Sequence, residues 1–152
     1  PIAVLTADCV PILLYEKQKN MIAAIHAGWK GAFKGIIKNV INFMLKKGCK
    51  RENIISVIGP CISKKNYNVK KDFKKKFIKK DKKNKIFFSY RKNMIYFDLP
   101  NYVRYQLRLN KITNYSIKYT RIQISLRKSS VTTRGVRFSR LSETLRLDHT
   151  LK

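Results

Sequence analysis

The sequence is short of acidic side chains, of cysteines and of long apolar runs, and each shortage excludes a class of protein. Only 8 Asp and Glu stand against 35 Lys and Arg, which gives a formal net charge of +27. The three cysteines are odd in number and include no CxxC pair, which argues against a disulfide scaffold or a zinc knuckle. Because no apolar run approaches the length of a membrane span, we expect no membrane partner.

The excess of positive charge has two interpretations. A polyanionic partner such as a nucleic acid would favour it. A solvated surface enriched in lysine would show the same composition. The lysines cluster at 70–85 and do not line a strand face studded with aromatic side chains, so a solvated surface is favoured over a nucleic-acid interface.

Short apolar runs alternate with helical periodicity along a chain of 152 residues, which is long enough for one domain with a core. The pattern predicts an α/β or mixed α+β fold, in which a mixed β-sheet packs against helices. Strands are predicted at 2–15, 21–27, 53–58, 86–90 and 115–119, the first being one long strand or two broken near Asp8 and Cys9. Helices are predicted at 31–47 and 69–80. A further helix is predicted after an Asp98 N-cap, with Pro100 in its first turn.

The two ends of the chain differ from its middle. After about residue 120 arginine, serine and threonine replace lysine and asparagine, and the periodicity fades. This predicts a domain at 1–119 and a divergent, poorly ordered basic tail at 120–152. The chain opens inside a strand-like run without a methionine, so we expect that an N-terminal part is absent and that no signal peptide is present. A reducing cytoplasm is the simplest location.

Cys9 and His26 each end an apolar run of the kind found in buried strands. A thiolate and an imidazole are good ligands for zinc or copper. The same two groups would also suit a hydrolase in which the histidine activates a cysteine nucleophile. Each residue taken alone also fits an ordinary buried position. The residue types do not decide between these interpretations.

Three stretches that include these residues, TADCVPILLY, AAIHAGWKG and IGPCIS with KNYNV, resemble in sequence and order the motifs of the YfiH family, also called laccase-domain proteins. The similarity runs from about residue 1 to about residue 119. It implies a metal-dependent purine nucleoside phosphorylase that acts on adenosine, inosine or methylthioadenosine with phosphate, and that has adenosine deaminase activity. By this resemblance Cys9 and His26 are two of three ligands to a catalytic metal, taken as zinc with copper as the alternative. The third ligand would be a histidine upstream of Pro1.

Further residues around this pair are candidates for supporting roles. Asp8 could orient a ligand or handle a proton, although strand alternation would point it to the opposite face. Gly28 and Lys30, with Gly31 and Gly35, resemble a phosphate cradle at a helix N-terminus, without the spacing of a P-loop. The turn at 59–61 could form another wall of the pocket.

Other functions remain open beside the phosphorylase. The chain could be a catalytically inactive truncated remnant, because the upstream ligand and the family's FFSYRR-like arginine motif are not found. The string at 87–91 resembles that motif but precedes the Asp98 helix. A copper-dependent polyphenol oxidase would use the same Cys9 and His26, but multicopper centres need many histidines and the chain has two. A basic nucleic-acid-binding module is a further alternative.

Overall fold

The computed structural model describes residues 2–117, which contain seven β-strands in two small sheets and four α-helices. In chain order the elements are β1 Val10–Glu16, β2 Met21–Ala27, α1 Trp29–Lys34, α2 Ile36–Lys46, β3 Ile54–Ile58, β4 Asn68–Val69, α3 Lys71–Lys80, β5 Phe88–Arg91, β6 Met94–Phe97, α4 Leu99–Leu109 and β7 Tyr115–Ile117, with 3₁₀ turns at Arg51–Asn53 and Lys82–Phe87. The predicted α/β class is confirmed. The predicted tail at 120–152 lies outside the described residues.

The larger sheet has the strand order β2-β1-β3-β7 and is mixed. β1 runs antiparallel to β2 and β3, whereas β7 joins β3 in parallel. Alternate residues of β1, such as Ile12 and Leu14, are buried on the face that α2 and α4 cover. The opposite face, called the outer face below, leaves three large apolar side chains partly exposed: Leu13, Tyr15 and Ile22.

The smaller sheet, with the order β4-β6-β5, packs with α3 and α4 around an aromatic cluster. Phe77 of α3 has no exposed surface and lies at its centre. Its ring centroid is 4.7 Å from that of Phe73, 4.8 Å from that of Phe97 and 5.2 Å from that of Tyr102. Such offset and edge-on contacts add to the free energy gained by burying the rings. No helix within residues 2–117 is long and apolar enough to cross a membrane.

Three local predictions need correction, and a fourth is confirmed. The helix predicted at 31–47 is two helices, because Gly35 adopts φ +88° and ends α1. The strand predicted at 2–15 begins only at Val10; residues 2–6 are not paired with a strand, and Leu5 is 82% exposed. The strand predicted at 86–90 is shifted to β5, and β4 and β6 were not predicted. The Asp98 N-cap is confirmed, since its carboxylate accepts a hydrogen bond from the Asn101 amide.

Candidate functional site

Cys9 and His26 lie beside one another at the open end of the β1–β2 hairpin. The register pairs Val10 with Ala27 and Pro11 with His26, so the next position places Cys9 opposite Gly28. A Cβ added to Gly28 would lie 2.9 Å from Cys9 Sγ and 3.9 Å from His26 Cδ2. The thiol and the imidazole therefore border the same small space, and the absence of a side chain at Gly28 keeps it open.

Both side chains belong to the outer face of the larger sheet. His26 follows Ala24 and Ile22 in the alternation of β2, away from the buried Ile25. His26 is exposed and Cys9 is half-buried. Burial, and to a lesser extent the negative charge of Asp8, raise the pKa of the Cys9 thiol above 9.0. Without a bound cation the thiol is therefore protonated at neutral pH.

Cys61 lies on the other side of Cys9, in the loop that follows β3. The Gly59 amide donates to the Pro11 carbonyl and the Ile62 amide donates to the Asp8 carbonyl, both at 3.0 Å. These two bonds hold the loop alongside the segment that carries Cys9. Burial, with the charges of Asp98 and Cys9, raises the pKa of the Cys61 thiol to about 11. The loop predicted to be a pocket wall thus lies next to Cys9.

The remaining candidates from the sequence do not form one cradle. Lys30 is exposed, and its Nζ lies 5.6 Å from the centroid of the Trp29 ring. Gly31 is inside α1, where an added Cβ would make an ordinary contact with Ile36. With Gly35 at the break between helices, Gly28 alone occupies the N-terminus of α1. The three glycines thus have separate structural roles.

An open groove of about 480 Å³ begins at Trp29, the residue after Gly28, and the sequence did not predict it. It is lined by Trp29, Tyr67, Asn68, Val69, Lys70, Asp72, Phe73 and Lys76. Burial, followed by the negative charges of Cys9 and Asp8, raises the pKa of the Tyr67 hydroxyl to about 12. Tyr67 lies in the KNYNV motif, but nothing in the sequence indicated that it would line the same groove as Trp29.

The side chains present fit part of a metal site. A cysteine and a histidine that border one open space supply the sulfur and nitrogen ligands that zinc and copper prefer. Among residues 2–117, however, no group of three or more His, Cys, Asp and Glu side chains could hold a metal ion. A complete site would require a ligand beyond those that the described residues bring together.

Comparison with known sequences gives a family and named relatives. Residues 1–130 match the family described as multi-copper polyphenol oxidoreductase laccase. A purine nucleoside phosphorylase of Rickettsia conorii is 44% identical over 77 residues, and one of Bacteroides thetaiotaomicron is 41% identical over 73 residues. These alignments cover 51% and 47% of this chain, but only 31% and 27% of the two relatives.

Solved structures show the same fold. The YfiH protein of Bacillus licheniformis superposes with a TM-score of 0.66 at 26% identity, and a protein of Neisseria meningitidis gives the same two values. Each superposition covers 75% of this chain and 45% or 46% of the solved chain. The chain thus spans about a third of the Rickettsia relative and less than half of each solved structure.

Proposed function

Because the chain belongs to the multi-copper polyphenol oxidoreductase laccase family, we propose that it forms part of a metal-dependent purine nucleoside phosphorylase. The placement of Cys9 Sγ and His26 Cδ2 around the open space at Gly28 carries this proposal. The relatives named purine nucleoside phosphorylase supply the reaction class. The proposed substrates are phosphate with adenosine, inosine or methylthioadenosine, and the same site would also deaminate adenosine.

In the proposed reaction, a phosphate oxygen forms a bond to C1′ of the ribose while the bond from C1′ to the purine nitrogen breaks. The purine leaves with the electron pair of that bond and takes up a proton. As the bond breaks, negative charge therefore develops on the purine and positive charge on the ribose. A site for this chemistry must hold phosphate, the nucleoside and a source of electrostatic stabilisation close together.

Cys9 and His26 would hold the metal, for which we propose zinc, with copper as the alternative. When bound, such an ion polarises an oxygen ligand or lowers the pKa of bound water. Cys9 must lose its proton to bind it, and burial, followed by the carboxylate of Asp8, opposes that loss in the absence of a cation. Burial and Asp8 together therefore make the thiolate form dependent on the presence of positive charge.

Positive charge beside the site favours the anionic co-substrate. Lys30 is two residues after Gly28, where the open space lies, and it is exposed. Lys76 of α3 lies close to Trp29, the residue before Lys30, with its Nζ 5.6 Å from the Trp29 ring centroid. Both side chains are long enough to turn toward a phosphate, and ammonium groups bind phosphate as point charges.

Activity measurements on a longer version of the protein, extended at both ends, test the proposal. With adenosine, phosphate and zinc we expect release of adenine that depends on phosphate and is lost in Cys9→Ala. Cys49→Ala is the matched control, because Cys49 is buried in the core, 5% exposed, and its thiol donates a hydrogen bond to the Met21 sulfur. Turnover that survives Cys9→Ala would refute the proposal.

The copper alternative predicts a different reaction from the same residues. A polyphenol oxidase would need Cys9 and His26 but would consume oxygen and a phenol, and it would not require phosphate. Metal analysis of the purified protein, combined with oxygen uptake in the presence of a diphenol, separates the two activities. Phosphate-independent oxygen uptake without adenine release would favour the oxidase.

A further inference from the structure

Cys9 and Cys61 lie opposite one another, just beyond the ladder that joins β1 to β3. At the end of that ladder nearest the site, Ile12 pairs with Ile58, and the two strands are antiparallel. The two hydrogen bonds that hold the 59–62 loop beside the start of β1 continue the same register. Followed past the ladder, this register sets Cys9 against Cys61.

The two side chains project to the same side. A Cβ added to Gly59 would lie 2.9 Å from Pro11 Cγ, so these opposite positions point the same way. Each lies two positions from one of the cysteines, and residues two apart in an extended chain share a face. After burial and the charge of Asp98, the charge of Cys9 also raises the pKa of the Cys61 thiol, so the two sulfurs are within electrostatic reach.

The spacing of opposite residues suits a disulfide bond. In an antiparallel pair, Cα atoms directly across from one another are about 4.5–5.5 Å apart. Disulfides span Cα separations of about 4.4–6.8 Å, so the pairing itself brings the two cysteines into range. Both are half-buried free thiols in the structure. A bond between Cys9 and Cys61 would therefore need little movement of the backbone.

We propose that Cys9 and Cys61 are a site of reversible oxidation, at which a small-molecule disulfide such as oxidised glutathione forms a bond between them. The Cys9 thiolate attacks one sulfur of the small disulfide, whose S–S bond breaks and releases one thiol. The Cys61 thiolate then attacks the Cys9 sulfur and displaces the second thiol. The two cysteines together lose two electrons and two protons, and the small disulfide takes them up to become two thiols.

Oxidation would remove Cys9 from the proposed metal site. A sulfur atom in a disulfide carries no thiolate charge, and the thiolate is the form that binds zinc or copper. The pair thus makes metal binding depend on the balance of thiols and disulfides around the protein. This consequence rests on the proposed function, whereas the bond itself rests only on the placement of the two cysteines.

Peptide mapping tests the bond directly, because the three cysteines fall in separate tryptic peptides, 1–17, 48–50 and 52–64. The folded 152-residue protein is incubated with oxidised glutathione, its free thiols are blocked and it is digested without reductant. We expect one crosslink, between 1–17 and 52–64, in monomeric protein, and a phosphine reductant should remove it. Glutathione attached to Cys9 or Cys61 without any crosslink would overturn the proposal.

The same reaction in urea is the control for the fold. Short loops close more readily than long ones in an unfolded chain. Cys61 is 12 positions from Cys49 and 52 positions from Cys9. The crosslink between Cys49 and Cys61 should therefore dominate in urea, and the crosslink to Cys9 should dominate in the folded protein. The same product in both conditions would overturn the proposal, because the pairing would then not depend on the fold.

Two serine variants identify the partners. Cys49→Ser is the matched control, because that thiol is 5% exposed and donates its hydrogen bond to Met21, at the far end of β1 from the site. It should form the Cys9–Cys61 crosslink as fast as the unchanged protein does. Cys61→Ser should instead stop at a mixed disulfide between Cys9 and glutathione. Loss of the crosslink in Cys49→Ser would count against the proposed pair.

Zinc binding separates this inference from the proposed function. If both hold, the oxidised protein should bind zinc as weakly as Cys9→Ala does, and reduction should restore binding. A crosslink that leaves zinc affinity unchanged would support the redox pair and refute the metal role of Cys9. Zinc binding that requires Cys9, in a protein that never forms the crosslink, would overturn the redox pair and leave the function intact.

Discussion

At the scale of single residues, Gly28 shapes the candidate site. Its backbone has φ −69° and ψ 164°, which any residue can adopt, so no left-handed conformation requires glycine here. What requires it is space, because a Cβ would come within 2.9 Å of Cys9 Sγ. The sulfur would have to turn away from its present position beside His26.

Gly28→Ala is therefore expected to weaken zinc binding while leaving the fold intact. Gly31→Ala is the matched control, since its Cβ would meet nothing closer than Ile36 at 3.5 Å. Replacing a helical glycine by alanine should instead stabilise the protein by about 0.5–1 kcal/mol. Zinc competition with a coloured chelator, together with urea unfolding, measures both effects. Equal zinc affinity in the two variants would contradict this role of Gly28.

Two of the three thiols, those of Cys9 and Cys49, should differ in their reaction with iodoacetamide. Only the thiolate reacts, and the raised pKa of Cys9 means that its labelling is slow at pH 7 and accelerates as the pH rises past 9.0. Cys49 should react more slowly still, because it is only 5% exposed. Mass spectrometry of labelled peptides gives each rate. If Cys9 is a metal ligand, zinc should protect Cys9 and leave Cys49 unchanged; equal protection of both would count against that role.

At the scale of elements, a buried carboxylate fixes the turn between β1 and β2. Glu16 ends β1 with no exposed surface, and its carboxylate accepts a hydrogen bond of 2.6 Å from the Lys19 amide. This bond lowers the pKa of the carboxyl below its usual 4.5. The turn places β2 in register with β1, and the register sets Cys9 opposite Gly28.

Because the pKa of Glu16 is lower in the folded than in the unfolded protein, its contribution to stability is present above about pH 4.5 and is lost as the pH falls toward the folded-state pKa. Glu16→Gln should therefore lower the free energy of unfolding at neutral pH. It should also make that free energy fall less steeply as the solution is acidified. Urea unfolding between pH 3 and pH 7 measures this. A parallel pH dependence in both proteins would show that other groups cause the decline.

The first turn of α4 depends on its cap in a similar way. The Asp98 carboxylate accepts hydrogen bonds from the Asn101 amide at 3.1 Å and from the Asn101 side chain at 2.8 Å. Asp98→Ala should lower the free energy of unfolding by about 1–2 kcal/mol. Lys111→Ala, an exposed change just beyond α4, is the control and should have little effect. Urea unfolding at neutral pH compares the two, and equal losses would argue against the cap.

At the scale of the whole molecule, many lysines have local partners in spite of the net charge of +27. Lys74, Lys76 and Lys80 of α3 each lie over an aromatic ring, those of Tyr90, Trp29 and Phe33. The ammonium groups of Lys74 and Lys80 also donate hydrogen bonds, to the Tyr90 hydroxyl and to the Phe33 carbonyl. This arrangement favours a solvated lysine surface over a nucleic-acid interface.

The 152-residue chain by itself is expected to show little or no nucleoside phosphorylase activity. Within residues 2–117 only Cys9 and His26 border the proposed metal position, and two ligands bind zinc more weakly than three and define its geometry less well. A longer version should be active under the same conditions of adenosine, phosphate and zinc. Robust turnover by the 152 residues alone would overturn this expectation.

The sequence alone determined the elements whose signals are local. Apolar runs specified β2 and β3, the spacing of apolar residues specified α2, and an acidic residue before Pro100 specified the cap of α4. Cys9 and His26 could be selected as a pair because each ends an apolar run. The spacing of apolar residues and the N-cap each depend on residues only a few positions apart, so they can be recognised in the sequence without knowledge of the fold.

The tertiary structure alone decided what depends on distant residues. The division of α1 from α2 depends on the left-handed conformation of Gly35. The sequence does not predict whether a glycine within a helical pattern will end the helix. The open groove is lined by Trp29 and Tyr67, which are 38 positions apart in the sequence. The approach of the 59–62 loop to Cys9 likewise follows from pairing between β1 and β3. These features arise from packing between separate elements, which no local pattern of residues encodes.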